Sequence, residues 1–193
     1  MNADKGRMCF LLTVRVIEPA SRSNGPGWRT VLWTQGCTLN CSGCFNPETH
    51  SKMKGSLMPV SLVLQKVFLY PSRVEGITIS GGEPLQQLPG LLAFLTEIRR
   101  TTDLSVLLFS GYDWAEINRM PKADSLLPLI DVIIAGRYIP NQRLARGLIG
   151  SSNKTVHFLT NRYSHADLTE VPEAEVILNQ NGEIIFSGIN PIY

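Results

Sequence analysis

Gly36-Cys37-Thr38-Leu39-Asn40-Cys41-Ser42-Gly43-Cys44-Phe45-Asn46 places three of the chain's four cysteines within eight residues, spaced C-x3-C-x2-C. Thiolates this close can converge on one metal or one cluster. A four-iron cluster with a complete protein shell takes four cysteines. Three leave one iron without a protein ligand, and an open coordination position is where a metal site does chemistry rather than bracing. The competing reading is a structural zinc held by Cys37, Cys41, Cys44 and His50. Zinc knuckles usually bring two ligand pairs, and no second pair stands in this sequence.

Outward from that stretch, strand and helix signals alternate. Cys9 to Ile17 and Trp28 to Gln35 are rich in β-formers and predict two strands, a hairpin-like start that delivers the chain to Cys37. Cys9 itself sits among Met8, Phe10, Leu11 and Leu12, as a buried strand cysteine would. Pro47 to Gly55 reads as a polar connection. Pro59 to Tyr70 shows the first helical period, stopped by Pro71. Val74 to Ser80 predicts a buried strand, and Leu88 to Arg100 a helix with Leu91, Leu92, Leu95 and Ile98 on one face. Leu104 to Phe109 predicts the next strand. Asp113 with Glu116 three residues on is a capping-box start to a short helix. Asp131 to Ala135 and Thr155 to Thr160 predict strands, with a glycine- and serine-containing loop from Leu144 to Asn153 between them. Glu175 to Leu178 and Glu183 to Phe186 flank Asn179-Gln180-Asn181-Gly182, a hairpin signal.

Strands alternating with helices imply βαβ units and a parallel sheet, whose ligands sit at the carboxyl ends of the strands. Those ends carry the unusual residues here: the cysteines, then Gly81-Gly82-Glu83-Pro84, then Ser110-Gly111-Tyr112, then Gly136-Arg137-Tyr138. A chain of 193 residues is one domain by default and too short for a closed eight-stranded barrel. The expected fold class is therefore α/β, a partial, open TIM-like β/α barrel with mostly parallel strands and a small C-terminal β-hairpin.

Hydrophobic residues make up 44% of the chain, enough for a sizeable core. A net charge of +2 with no long Lys/Arg run gives no case for nucleic acid. Nothing reads as a signal peptide or a membrane span. Clustered cysteines fit metal ligation in a reducing compartment, so a cytoplasmic location is expected. Gly81 and Gly82 permit a backbone that approaches a ligand closely. Exposed carbonyls and the Glu83 carboxylate there would suit an ammonium group. Ser110-Gly111-Tyr112 and Gly150-Ser151-Ser152-Asn153 are either simple turns or a source of polar groups for a nucleoside.

With these residues on the page, the chain resembles the radical S-adenosylmethionine superfamily, and within it the activating proteins of anaerobic ribonucleotide reductase. The resemblance rests on Cys37, Cys41, Cys44 and Gly81 to Pro84. Asn24-Gly25-Pro26-Gly27, Ser42-Gly43-Cys44-Phe45-Asn46, Ser110-Gly111-Tyr112 and Gly150-Ser151-Ser152-Asn153 add to it. It covers roughly residues 8 to 160 of a single domain, with 161–193 as an extension. It implies that Cys37, Cys41 and Cys44 bind a [4Fe-4S] cluster whose open iron takes S-adenosyl-L-methionine. Gly81, Gly82 and Glu83 would receive the amino group, and Gly43, Phe45 and Asn46 would lie beside the cofactor near its adenine, with Ser110 and Gly111 also in the cofactor site. No catalytic residue is implied beyond these ligands. Reductive cleavage would give methionine and a 5′-deoxyadenosyl radical, which takes a hydrogen atom from a glycine of a partner enzyme. An electron donor such as flavodoxin or ferredoxin is implied as well.

The chain departs from the pattern at Asn24, where an Asp is often found, at Lys154, where Gln usually follows Gly-Ser-Ser-Asn, and in the residues beyond about 160. Two other functions compete: the same chemistry on another peptide, protein or small molecule, and a zinc-stabilised binding module without catalysis.

Overall fold

A computed structural model describes residues 9–69, 74–178 and 181–189. Its centre is a sheet of seven strands among the described residues, in the order β3-β1-β2-β4-β5-β6-β9. β1 (Leu11–Ser21) and β2 (Arg29–Thr34) pair antiparallel, as the hairpin-like start predicts. β2, β4 (Gly76–Gly81), β5 (Ser105–Ser110) and β6 (Val132–Ala135) then run parallel. β3 (Ser56–Pro59) and β9 (Thr155–Phe158) close the two edges, each antiparallel to its neighbour. The sheet is open, so the expected partial barrel with a parallel centre is what the chain forms.

The central strands read as continuous apolar runs because both faces are covered. On one face Ile77, Ile79, Val106, Leu108 and Ile133 meet the helices. α1 (Val60–Val67) contributes Val60, Val63 and Val67, and α2 (Leu88–Thr101) contributes Leu91, Phe94, Leu95 and Ile98. Both sets recur at helical spacing, which puts them on one stripe. Residues of opposite parity, Leu107, Val132 and Ile134, face inward and pack with Leu148, Leu168 and Val171. α3 (Trp114–Asn118) starts with the capping box at Asp113 and Glu116, both of its bonds 2.8 Å long. Two further short helices, α4 (Ala123–Leu126) and α5 (His165–Thr169), carry no clear period in sequence.

Two expectations need correction, and one strand carries no signal in the sequence. Cys9 is exposed and precedes β1, because the ladder begins only at Leu11 opposite Pro59. β3 follows the expected polar connection of 47–55, and its four residues alternate too briefly to show a period. The loop from Leu144 to Asn153 contains two strands, β7 (Arg143–Arg146) and β8 (Ile149–Ser151). Their ladder is irregular, and Ala145, Gly147 and Leu148 all take positive φ. A backbone of that kind leaves no alternation to read. Tyr70, Pro71, Asn179 and Gln180, which mark the predicted helix stop and hairpin turn, lie outside the described residues.

The C-terminal hairpin forms as expected from β10 (Glu175–Leu178) and β11 (Ile184–Ser187). It is tied to the segment that follows β1. The Glu175 carboxylate accepts hydrogen bonds from the Ser21 hydroxyl, from the Ser23 hydroxyl at 2.9 Å and from the Arg22 N–H at 2.8 Å. Asn24 Nδ2 donates to Ser21 Oγ and to Ser187 Oγ, each at 2.8 Å. An aspartate at position 24 would offer only acceptors there and add a second negative charge beside Glu175. The hairpin thus gives a reason for the asparagine.

Arg29 pins the pole of the sheet opposite the cysteines. It is fully buried, and its guanidinium donates to Thr78 Oγ1 at 2.7 Å, Ile77 O at 2.8 Å, Ser105 Oγ at 2.9 Å and Pro26 O at 3.2 Å. A side-chain carbon at Gly76 would come within 2.4 Å of it, so the glycine makes its room. Arg29→Ala strips donors from this buried cluster and leaves a cavity. Equilibrium urea unfolding should show a loss of about 3–5 kcal/mol; a loss under about 1 kcal/mol would mean that the cluster rehydrates without penalty.

Candidate functional site

Parallel strands put their carboxyl ends on one edge, and there β2, β4, β5 and β6 hand the chain to four loops. Backbone hydrogen bonds join these loops in two pairs. Gly82 N–H donates to Thr34 O at 2.8 Å and Glu83 N–H to Gly36 O at 2.9 Å, linking the glycine turn to the approach of the cysteines. Gly136 N–H donates to Ser110 O at 3.1 Å and Tyr112 O at 2.8 Å, linking the last two loops. Glycine is required at the first junction. Gly81 has φ +102°, and a Cβ on Gly82 would lie 2.4 Å from Gly36 O.

The cysteine loop is shaped by its own backbone. Gly36 N–H donates to Thr49 O at 2.7 Å and Cys37 N–H to His50 O at 3.0 Å, which folds the loop back on the turn after it. Asn40 and Gly43 take positive φ. Gly43 also lies against Pro140, whose ring would be 2.9 Å from an added Cβ. Asn46 N–H points at Cys44 Sγ, 3.4 Å away. Burial pushes the Cys37 and Cys44 thiols up, while backbone N–H groups of Leu39 and Asn40 at Cys37, and of Asn46 at Cys44, pull them down. Metal binding removes those protons, and the same N–H groups then face ligating sulfurs.

The cleft above the strand ends is lined by all three cysteines together with Phe45, Asn46, Gly81, Gly82, Glu83, Ser110 and Gly111. Gly43 stands behind the wall, against Pro140 and Tyr138. Every expected site residue is thus in one place. Phe45 lies 4.5 Å from the Tyr138 ring, centroid to centroid, and Gly150 leaves room for its edge. Trp33, Phe109, Leu148 and Ile189 add apolar wall. His50 shares the cleft, but among the described residues no three His, Cys, Asp or Glu side chains are grouped to hold a single metal ion. Three thiols and a glycine turn without side chains line the same cleft, and three cysteines are a donor set that leaves one iron of a cluster open. The residues present therefore fit a cluster of several irons.

Glu83 is more than a lining residue. It is buried, and its Oε1 accepts from Leu85 N–H and Ser110 Oγ–H, both at 3.0 Å. Its Oε2 accepts from Gly111 N–H at 2.7 Å. The Ser110 hydroxyl and the Gly111 N–H are thus directed at Glu83. Sequence reasoning also did not assign Lys154, Asn24 and Ile189 to this cleft. Lys154 follows a turn whose strands were not legible. Asn24 and Ile189 are brought in by the hairpin clasp.

A family profile described as a 4Fe-4S single cluster domain matches residues 23–157. The anaerobic ribonucleoside-triphosphate reductase-activating protein of Haemophilus influenzae is 34% identical over 147 residues, which is 72% of this chain and 93% of that protein. The protein of the same name from Enterobacteria phage T4 is 31% identical over 140 residues, covering 68% of this chain and 86% of the relative. That of Escherichia coli K12 is 32% identical over 149 residues, 73% of this chain and 95% of the relative.

Burial pushes Glu83 up to about 7 from an ordinary 4.5, against the pull of its three hydrogen bonds. The folded chain then holds a proton that the unfolded chain has released. That stability is complete below the ordinary carboxylate range and is lost as the pH rises through about 7. Metal-free protein should lose about 2–3 kcal/mol of unfolding free energy from this group between pH 4.5 and 8. Glu83→Gln should flatten that part of the profile in urea titrations; parallel wild-type and variant profiles would show that Glu83 ionises normally.

Proposed function

The chain belongs to the family of anaerobic ribonucleoside-triphosphate reductase-activating proteins, built on a single 4Fe-4S cluster domain, and from that premise we propose that it installs a glycyl radical on a partner ribonucleotide reductase. It is a radical S-adenosylmethionine enzyme, and its cofactors are a [4Fe-4S] cluster and S-adenosyl-L-methionine. Together these supply one-electron reductive cleavage of the sulfonium compound and removal of a hydrogen atom from the substrate.

The chain's own residues hold, orient and exclude. Cys37, Cys41 and Cys44 are the proposed cluster ligands, and three thiolates leave one iron free for the methionyl group. Gly81 and Gly82 present bare backbone at the strand end, where a ligand ammonium can reach carbonyl oxygens. Glu83 fixes the geometry of that turn, and its carboxyl can give up its proton when a cationic ligand arrives above it. Phe45, Trp33 and Tyr138 keep water from the reacting centre. The cleft opens at the strand edge, so a loop of a large partner can cover it. Residues 161–193 are read as an extension of this one domain, since the family profile stops at residue 157. Among the described residues no helix is long and apolar enough to cross a membrane.

The single observation that carries this reading is the meeting of three thiols and a side-chain-free glycine turn on one strand edge, joined by the bond from Glu83 N–H to Gly36 O. Anaerobic reconstitution should give brown protein with about four irons per chain and 5′-deoxyadenosine on reduction. Mixing it with the anaerobic reductase of the same source should raise a glycyl radical signal in electron paramagnetic resonance. Cys41→Ala should fold yet form no 5′-deoxyadenosine. A colourless protein holding one zinc, or a Cys41→Ala variant with normal cleavage, would overturn the reading. Normal cleavage without the radical signal would point instead to another peptide, protein or small-molecule substrate.

A further inference from the structure

Lys154 is the only lysine or arginine among the described residues that line the cysteine cleft. Everything else with charge there is negative or becomes so on metal binding: the three thiols and Glu83. Its side chain is held in place rather than loose. The ammonium donates to the carbonyl of Gly136, at the end of β6, and the Lys154 N–H donates to Ser151 O at 3.1 Å. Gly136 has φ +120°, and the backbone of Lys154 passes close by, 3.4 Å from where a Cβ at 136 would stand. A lysine ammonium has three donors. One is given to Gly136, a neutral acceptor, and no carboxylate lies within ion-pair distance among the described residues. The charges that act on it from nearby are those of Cys41, Glu83 and Cys44.

The methionyl end of S-adenosylmethionine carries an ammonium and a carboxylate. Acceptors for the ammonium are plentiful in this cleft. Besides the open iron, the one cationic side chain lining this cleft among the described residues is that of Lys154. We propose that Lys154 receives the carboxylate of S-adenosylmethionine and so sets the preference of this site for the intact amino acid end of the cofactor. This rests on the cofactor reading above. Lys154 is a binding residue here, and its ion-paired hydrogen bond is of the stronger kind. A glutamine at this position would donate a hydrogen bond without the charge and would hold the carboxylate less tightly.

The test compares wild-type, Lys154→Met and Lys154→Gln proteins, each reconstituted anaerobically. Iron content and the visible cluster band are measured first. Dissociation constants follow for S-adenosylmethionine and for its decarboxylated form, which keeps the sulfonium and the ammonium. Lys154→Met should keep its iron and lose about 10- to 100-fold in affinity for S-adenosylmethionine. Its affinity for the decarboxylated compound should stay within about twofold of wild type, a floor set by ordinary measurement scatter. Lys154→Gln should fall between. If Lys154→Met fails to hold iron, Lys154→Gln carries the same comparison. Equal weakening for both compounds, unchanged affinity for S-adenosylmethionine, or loss of iron in both variants would overturn the proposal and assign Lys154 to the charge or shape of the cleft alone. Wild-type protein that holds its iron yet binds neither compound would overturn the cofactor reading, and this assignment with it.

Discussion

Between the approach to the cysteines and the glycine turn there is no room for one extra carbon. Gly82 and Glu83 donate their N–H groups to Thr34 and Gly36, and the two backbones touch along that line. The contact sets where the first cysteine begins, because Cys37 follows Gly36 directly. It also sets where the open face of the turn points. The positions of cluster and cofactor are thereby coupled through rigid strand ends rather than through mobile side chains, which is how a site is held to the tolerance that chemistry needs.

Glu83 extends the same constraint to the next strand. A buried carboxylate is expensive unless its oxygens are occupied. Here three donors from Leu85, Ser110 and Gly111 occupy them, and they come from the turn itself and from the end of β5. Gln86 adds an outer tie, taking the Thr38 N–H at 3.1 Å and donating to Tyr112 OH at 3.2 Å. A side chain at Gly111 would press on the end of Leu39 in the cysteine loop, 2.4 Å from its would-be Cβ. Three loops from three strands thus share one packed layer. The carboxylate at its centre is strained toward protonation, a cost accepted where charge will be wanted once a cationic ligand arrives.

The parallel centre of the sheet was legible because burial on both faces writes unbroken apolar runs, and those runs ended at motifs that had no reason to recur unless they met. The cysteines and glycines were legible as chemistry because few other patterns use them so densely. What stayed hidden depends on contacts between distant segments. β7 and β8 are shaped by positive-φ residues, not alternation. The roles of Ser110 and Gly111 depend on Glu83, 27 and 28 residues away. Asn24 looked like a mere departure until the hairpin reached Ser187 back to it. Cys9 missed its strand by two positions, which no local pattern distinguishes.

The claim that the glycine turn and cysteine loop must touch is tested most directly at Gly82. Gly82→Ala places a carbon against the Gly36 backbone, which cannot turn aside as a side chain would. The far-UV circular dichroism of the variant should match wild type, since the strands are unaltered. Its reductive cleavage of S-adenosylmethionine after reconstitution should fall by about 100-fold or more, the loss expected when a reacting centre moves by about 1 Å. A Gly82→Ala protein that cleaves the cofactor at the wild-type rate would contradict the account, because the two loops would then work without being in contact.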